Sequence, residues 1–371
     1  MKKLLLSALV LSLCSSAYAG GITNHTDINA ALVSNPSLLA KKRSLESIEI
    51  LLPHVSLDVS DTMDMYERVD DFQQLDQILK DSGSLSQVDI DKWESTLRGL
   101  DGASTQLNGN VKLALTIPTE MVSASLFFNT DLQGELVTHV SDKDLSLINN
   151  SVSIPERLDS SIDTKVGGAV ELGLIMAKKF ELNSDNTFYV GGTFKSQKQM
   201  SYKYQDSVST FTDDINTDDY IEDDGVNYDL GLAYRYKDFT LGFSGINLVE
   251  RELETNVTDY GSSIHLIEPQ YLIETQIEKG GLVFSTQYQI EPIQYFSDSL
   301  FEYQYLSTGL SYSYGWVSLA AGYKHSLTDG PSDRITAGLS IHPHNMIGFT
   351  VGGEYSDDRE YKASVNFVLR F

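Results

Sequence analysis

The sequence predicts an all-β fold: an antiparallel transmembrane β-barrel of about fourteen strands, with an N-terminal plug segment and a short helical extracellular insertion. Three observations point there. The last strand alternates over its whole length, the chain opens with an export signal, and no later run of about 18 apolar residues could form a spanning helix. A chain that must cross a bilayer without such a helix has to close its strands into a barrel, so that every backbone polar group is paired.

The C-terminal strand is the clearest of these. Tyr361, Ala363, Val365, Phe367, Leu369 and Phe371 alternate with Lys362, Ser364, Asn366, Val368 and Arg370, which gives one apolar face and one largely polar face. Tyr361, Phe367, Leu369 and the terminal Phe371 match the assembly signal by which the barrel-assembly machinery takes up such chains. At the other end, Lys2 and Lys3 precede an apolar stretch over residues 4–13, and Ala17-Tyr18-Ala19 forms a small-x-small cleavage site. Residues 1–19 are therefore expected to be a signal peptide. A lipoprotein anchored through Cys14 is the competing reading, but Leu13 stands where the lipoprotein peptidase needs a small residue. Cys14 is the single cysteine, so a mature chain from Gly20 has no disulfide, thiolate metal site or cysteine nucleophile.

Upstream of the last strand the same period recurs. Apolar faces run through Ile347, Phe349, Val351 and Tyr355, through Ile335, Ala337, Leu339 and Ile341, and through Val317, Leu319, Ala321 and Tyr323. Further faces use Leu282, Phe284, Tyr288 and Ile290, and the longest uses Val226, Tyr228, Leu230, Leu232, Tyr234 and Tyr236. Their partners include Asn227, Asp229, Arg235, Ser285, Gln287 and Lys324, as a polar lumen requires. Earlier strands are placed at 48–60, 108–117, 122–138, 165–181 and 186–204. Short turns at Lys237-Asp238, Lys279-Gly280, Tyr314-Gly315, His342-Pro343-His344-Asn345, 118–121 and 182–185 fall on one side. Longer loops fall on the other, the asymmetry of outer-membrane barrels, with the short turns periplasmic.

Two stretches break the pattern. Residues 61–107 read as an extracellular helical insertion in the barrel of residues 48–371: Phe72, Leu75, Ile78 and Leu79 have helical spacing, Gly83 follows the first helix, and a second helix carries Trp93 and Leu97. Residues 20–47 read as the plug. There Asp27 caps a helix through Ile28, Ala31 and Leu32, which breaks at Asn35-Pro36.

The run Asn29-Ala30-Ala31-Leu32-Val33-Ser34-Asn35-Pro36-Ser37-Leu38-Leu39-Ala40, followed by a first strand around Leu52-Pro53-His54-Val55, resembles the TraF-like (conjugal-transfer TraF) outer-membrane family. That family is similar to FadL-type hydrophobic-substrate channels. The resemblance implies a fourteen-strand barrel and an N-terminal hatch bearing an Asn-Pro-Ala motif. Only Asn35 and Pro36 carry over as plug-motif residues, because Ser37 stands in place of the Ala.

Composition narrows the partners. With 27 Lys plus Arg against 52 Asp plus Glu, the net charge is −25, which excludes nucleic acid. Tyr (20) outnumbers Phe (15), as aromatic belts at lipid rims favour. The acidic run Asp213, Asp214, Asp218, Asp219, Glu222, Asp223 and Asp224 misses calcium-loop spacing. It is a weak metal candidate, able at most to hold divalent cations that bridge to lipopolysaccharide. His325-Ser326 with Asp329 or Asp333 could suggest a hydrolase site, and His342 with His344 a weak metal pair, but both read better as loop residues. No catalytic residue and no cofactor is expected. The sequence thus predicts an outer-membrane channel or binding protein for small hydrophobic compounds, surrounded by lipid and lipopolysaccharide. A noncatalytic surface protein of a transfer or secretion assembly, using residues 61–107 as its contact face, is the alternative.

Overall fold

The computed structural model describes residues 31–32, 34–41, 48–82, 85–117, 122–148, 154–212, 220–258, 261–343, 346–357 and 360–371. The signal peptide and the first part of the plug segment lie outside them.

Fourteen strands close into one antiparallel barrel. They are β1 (Glu49–Thr62), β2 (Ser104–Ile117), β3 (Ser123–His139), β4 (Ser161–Asn183), β5 (Asn186–Ser207), β6 (Ile221–Tyr236) and β7 (Phe239–Ile246), then β10 (Gln270–Lys279), β11 (Leu282–Gln289), β12 (Tyr305–Tyr314), β13 (Val317–Ser326), β14 (Arg334–Ile341), β15 (Ile347–Tyr355) and β16 (Glu360–Arg370). Each pairs with its sequence neighbour, β7 pairs with β10, and β1 pairs with β16 to close the ring. Two further strands, β8 (Arg251–Glu254) and β9 (Ile264–Ile267), form a separate hairpin. That hairpin is absent from the alternation pattern because each of its strands is only four residues long.

The seam depends on the chain end. Ile48 and Phe371 exchange backbone N–H···O bonds of 3.0 Å in both directions, and Arg370 is ion-paired with Glu49. Phe371, Tyr361 and Phe367 are all exposed on the outer wall. Within β1 the register shifts between Leu51 and His54 on the β2 side. Pro53 sits in this interval and has no N–H to give the ladder, the usual setting for a bulge.

The outer surface is apolar. Along β6, Val226, Tyr228, Leu230, Leu232, Tyr234 and Tyr236 are all exposed, while the alternate residues Asn227, Asp229 and Ala233 are buried inside. Aromatic side chains collect at the short-turn rim, with Tyr236, Phe239, Tyr312, Tyr314 and Trp316 exposed there. Such a wall needs lipid around it. Among the described residues, no helix is long and apolar enough to cross a membrane.

The predicted helical insertion forms at the long-loop rim as α1 (Met65–Asp81) and α2 (Gln87–Arg98). Helix α2 starts at a capping box, in which the Ser86 side chain accepts from the Asp89 N–H and Asp89 accepts from the Ser86 N–H. Phe72 and Trp93 are buried with ring centroids 5.4 Å apart, and the Trp93 indole N–H donates to Asp76 at 2.9 Å. Leu97 and Leu79 join this core, but Ile78 is 65% exposed, so the helix face is narrower than its spacing suggested. A third helix, α3 (Asp142–Ile148), and the upper ends of β3 and β4 complete the cluster through Leu145, Leu136 and Ile162.

The outer wall sets a clear test. Leu230, 59% exposed and well inside β6, should resist a charge: Leu230→Arg is expected to cost about 2–4 kcal/mol near the bilayer midplane. That would lower the yield of heat-modifiable, membrane-inserted barrel. Leu230→Phe should assemble at wild-type level, and equal yields for the two variants would contradict the assignment of this face to lipid.

Candidate functional site: a chamber in the lumen

Near the short-turn end, the chain crosses its own lumen. Asn35 and Ser37 have no solvent exposure, and Pro36 opens a short 3-10 helix, Pro36–Lys41. Proline suits this first position because its missing N–H would have no partner there. The Asn35 carboxamide acts in two directions. Its Nδ2 donates to Glu274 Oε1 on β10 at 2.6 Å and to the Leu232 carbonyl on β6 at 3.3 Å. Its Oδ1 accepts from the Ser37 N–H at 3.1 Å and the Ser37 hydroxyl at 2.7 Å. The hydroxyl that distinguishes Ser37 from an alanine is therefore used to hold the turn.

The wall opposite this turn is glycine. A Cβ at Gly191 on β5 would lie 2.4 Å from the Ser37 nitrogen, and one at Gly231 on β6 would lie 2.1 Å from Asn35 Oδ1. Interior strand glycines mark such close approaches, and this was a legible sign that something packs against β5 and β6. Beyond the turn, Leu38, Leu39 and Ala40 bury against inward-facing Leu51, Phe127, Ile175 and Tyr189, each leucine contributing roughly 1.5–3 kcal/mol. Lys41 ends the segment with an ion pair to Glu278 at 2.5 Å and a hydrogen bond to Gln276.

The long-loop end is also filled. The β8–β9 hairpin folds inward, where Arg251 reaches the Gln197 carbonyl on β5 at 2.7 Å and the Asp223 carboxylate at 2.6 Å. His265 on β9 is buried over Gly167, whose Cβ would meet the imidazole at 2.2 Å. Burial pushes this imidazole down to about 4, so it is neutral at neutral pH and sits 3.1 Å from the Gln199 amide nitrogen. The segment between β11 and β12 crosses beside it. Phe296 is buried against His265, Asp298 pairs with Lys165 on β4 at 3.2 Å, and Ser299 donates to Glu135 on β3 at 2.7 Å.

Between these two obstructions lies a chamber of about 410 Å³. Leu32 and Ser34 border it from the N-terminal segment, and Leu266, Ile293 and Tyr295 from the inward-folded loops. Its wall is polar and heavily cross-linked. Lys195 bridges Glu171 at 3.2 Å and Asp229 at 3.1 Å. Arg334 joins Asp58 across the seam at 2.7 Å and Glu360 at 2.7 Å. Removing one member of such a set would strand a buried charge, at a cost of roughly 3–5 kcal/mol.

The other sequence candidates separate. Asp213, Asp214, Asp218 and Asp219 lie outside the described residues. Asp223 is held by Arg251, and Glu222 and Asp224 face Lys198 at 3.0 and 4.0 Å. His325 Nδ1 lies 2.8 Å from Asp333, but the Ser326 hydroxyl donates to the Thr328 carbonyl and not to the imidazole, so no nucleophile is activated. His342 is buried beside Gly348, and His344 lies outside the described residues. Among the described residues, no three His, Cys, Asp or Glu side chains are grouped to hold a metal. The chamber itself was missed: short inward strands and the β11–β12 loop carry no period by which a sequence would reveal them.

A family profile described as "F plasmid transfer operon, TraF, protein" matches residues 32–293. A search of curated proteins gives no match. Among solved structures, the chain is similar to the Ralstonia pickettii toluene transporter TbuX, at 11% identity over 95% of each chain with a TM-score of 0.48. It is also similar to the Pseudomonas putida toluene transporter TodX (12% identity, 96% of this chain and 94% of that one, TM-score 0.44) and to a Pseudomonas aeruginosa FadL homologue (9%, 96% and 99%, TM-score 0.46).

The glycine wall gives the test of the N-terminal seat. Gly191→Val should push residues 35–37 off β5 without altering the outer surface. A reporter at Leu39→Cys, 1% exposed in the native barrel, should then react with a maleimide at least tenfold faster. Unchanged labelling in a folded, heat-modifiable barrel would show that the segment does not depend on that wall.

Proposed function

The chain belongs to the family of the F plasmid transfer operon TraF protein, and from that premise we propose that it is an outer-membrane channel or binding protein for small, largely hydrophobic compounds. The observation that carries this reading is the chamber of about 410 Å³ left between two inward-folded segments, bordered by Leu32, Leu266, Ile293 and Tyr295 as well as by polar side chains. Its N-terminal boundary is a single short segment tied to the wall by a few side chains, the arrangement expected of a part that can move.

In this account the short-turn rim faces the periplasm, and residues 20–47 act as a hatch. A compound enters from the long-loop side, past the β8–β9 hairpin, and occupies the chamber. Release requires the Asn35–Glu274 and Lys41–Glu278 contacts to open. Behind them lies an apolar stretch of the lumen wall, formed by Leu51, Phe127, Ile175 and Val368. The toluene transporters among the similar structures act on a compound of this kind. The chemistry of this proposal is noncatalytic binding and passage.

Planar-bilayer recording tests it. Full-length protein should show little steady conductance, and a variant in which the leader is joined directly to Ser47 should give larger, noisier openings. Mass spectrometry of compounds extracted from the purified full-length barrel should recover a small apolar molecule. Equal conductance in two folded proteins, with no retained compound, would instead favour a structural role in a transfer assembly.

A further inference from the structure

Partner counting around the chamber singles out one side chain. Lys112 on β2 is 9% exposed and borders the cavity, yet among the described residues its ammonium makes no hydrogen bond and no ion pair within 4.0 Å. The acids that share the cavity are already engaged. Asp131 accepts from Asn110 and Asn129, Glu171 holds Lys195 at 3.2 Å, Asp58 holds Arg334 at 2.7 Å, and Glu268 accepts the Gln294 N–H at 2.7 Å.

Directly across the ladder from Lys112 is His54 on β1. It is buried to 4%, borders the same cavity, and its Nδ1 has no hydrogen-bond partner. Lys362 on β16 also borders the cavity, and its ammonium lies 4.0 Å from both Asp58 and Glu354, beyond hydrogen-bond distance. This part of the chamber therefore presents a cation with no ion pair within 4.0 Å, which feels Asp131 and Glu171 only through space, together with an imidazole nitrogen that has no partner and a loosely held second cation. A buried ammonium left without a partner is costly, and a carboxylate brought to it relieves that cost through a charge-assisted hydrogen bond.

Part of the lining is aromatic. Tyr295 and Tyr303 lie with ring centroids 5.1 Å apart, and Tyr305 carries the Lys324 ammonium 3.8 Å above its ring. All three border the cavity. We propose that the chamber is a binding site for a small organic anion, its carboxylate held by Lys112 and His54 and its flat apolar body lying along Tyr295, Tyr303 and Tyr305. This rests on the reading of the chamber as a ligand site and narrows the compound from apolar to apolar with one anionic end. No bond is made or broken.

Titration calorimetry on the full-length barrel in detergent tests it with three probes: benzoate, benzyl alcohol as the uncharged body, and acetate as the carboxylate alone. Benzoate should bind at least tenfold more tightly than either. Lys112→Met should abolish the preference for benzoate over benzyl alcohol, Lys112→Arg should keep most of it, and Lys198→Met, outside the chamber, should change nothing. If Lys112→Met does not fold, Lys362→Met should weaken benzoate binding several-fold while leaving benzyl alcohol unchanged. The proposal is overturned by wild-type protein that binds benzoate no better than benzyl alcohol or acetate. Benzoate affinity that survives in folded Lys112→Met, or in Lys362→Met where that variant serves instead, overturns it too. The hatch reading fails separately: equal conductance with and without residues 20–46 would leave a Lys112-dependent benzoate site standing in a binding protein that does not conduct.

Discussion

A ring of fourteen strands encloses more volume than its own inward side chains can fill, and the rest of this structure answers that constraint. The wall cannot shrink, because every strand edge must be paired in lipid, down to the Ile48–Phe371 exchange that closes the seam. The space is taken up by chain: residues 31–41 from one end, the β8–β9 hairpin and the β11–β12 segment from the other. The chamber is what these three leave unfilled.

The two fillings are held differently. The upper one is fixed by charge, through Arg251 to Asp223 and Lys165 to Asp298, and by the aromatic contact of His265 with Phe296. The lower one combines apolar packing at Leu38 and Leu39 with a short list of polar ties at Asn35 and Lys41. The acids of the upper ties, Asp223 and Asp298, are about half exposed, whereas both members of the lower pair, Lys41 and Glu278, are largely buried. Lys112 departs from Lys195, Lys165 and Arg334, the other buried cations of the wall, each of which holds an ion pair, and it faces the chamber beside the unpartnered His54 Nδ1.

Much of this was legible because a barrel strand writes its two environments in alternate residues. From Val226 to Tyr236 and from Tyr361 to Phe371, the period alone placed each side chain on its correct face. The strand number and the short-turn side followed, as did the helical insertion, whose Trp93 and Leu97 proved to be core. Asn35 and Pro36 came from a resemblance, and the structure places both inside the wall. What stayed hidden has a physical reason. Strands β8 and β9 are four residues each and pair only with one another, too short for periodicity to register. The chamber draws its lining from ten or more separated segments, and Lys112 and His54 look in the sequence like any polar residue on an inward face. Only the partner census, which needs three dimensions, sets Lys112 apart from Lys195. The glycines at 191 and 231 were the one overlooked signal, since a side-chain-free patch on two adjacent strands is what a crossing segment requires.

On the reading proposed above, residues 35–41 obstruct the lumen and leave the wall when the barrel conducts. A reversible tether is the sharpest test: Lys41→Cys with Gln276→Cys, replacing two side chains whose ends touch in the native barrel, joined by a short bis-methanethiosulfonate linker that spans the lost side-chain length and is released by reduction in a single-channel recording. The tethered barrel should lose its openings and reduction should restore them. Openings of the same frequency and size in both states would rule the obstruction out.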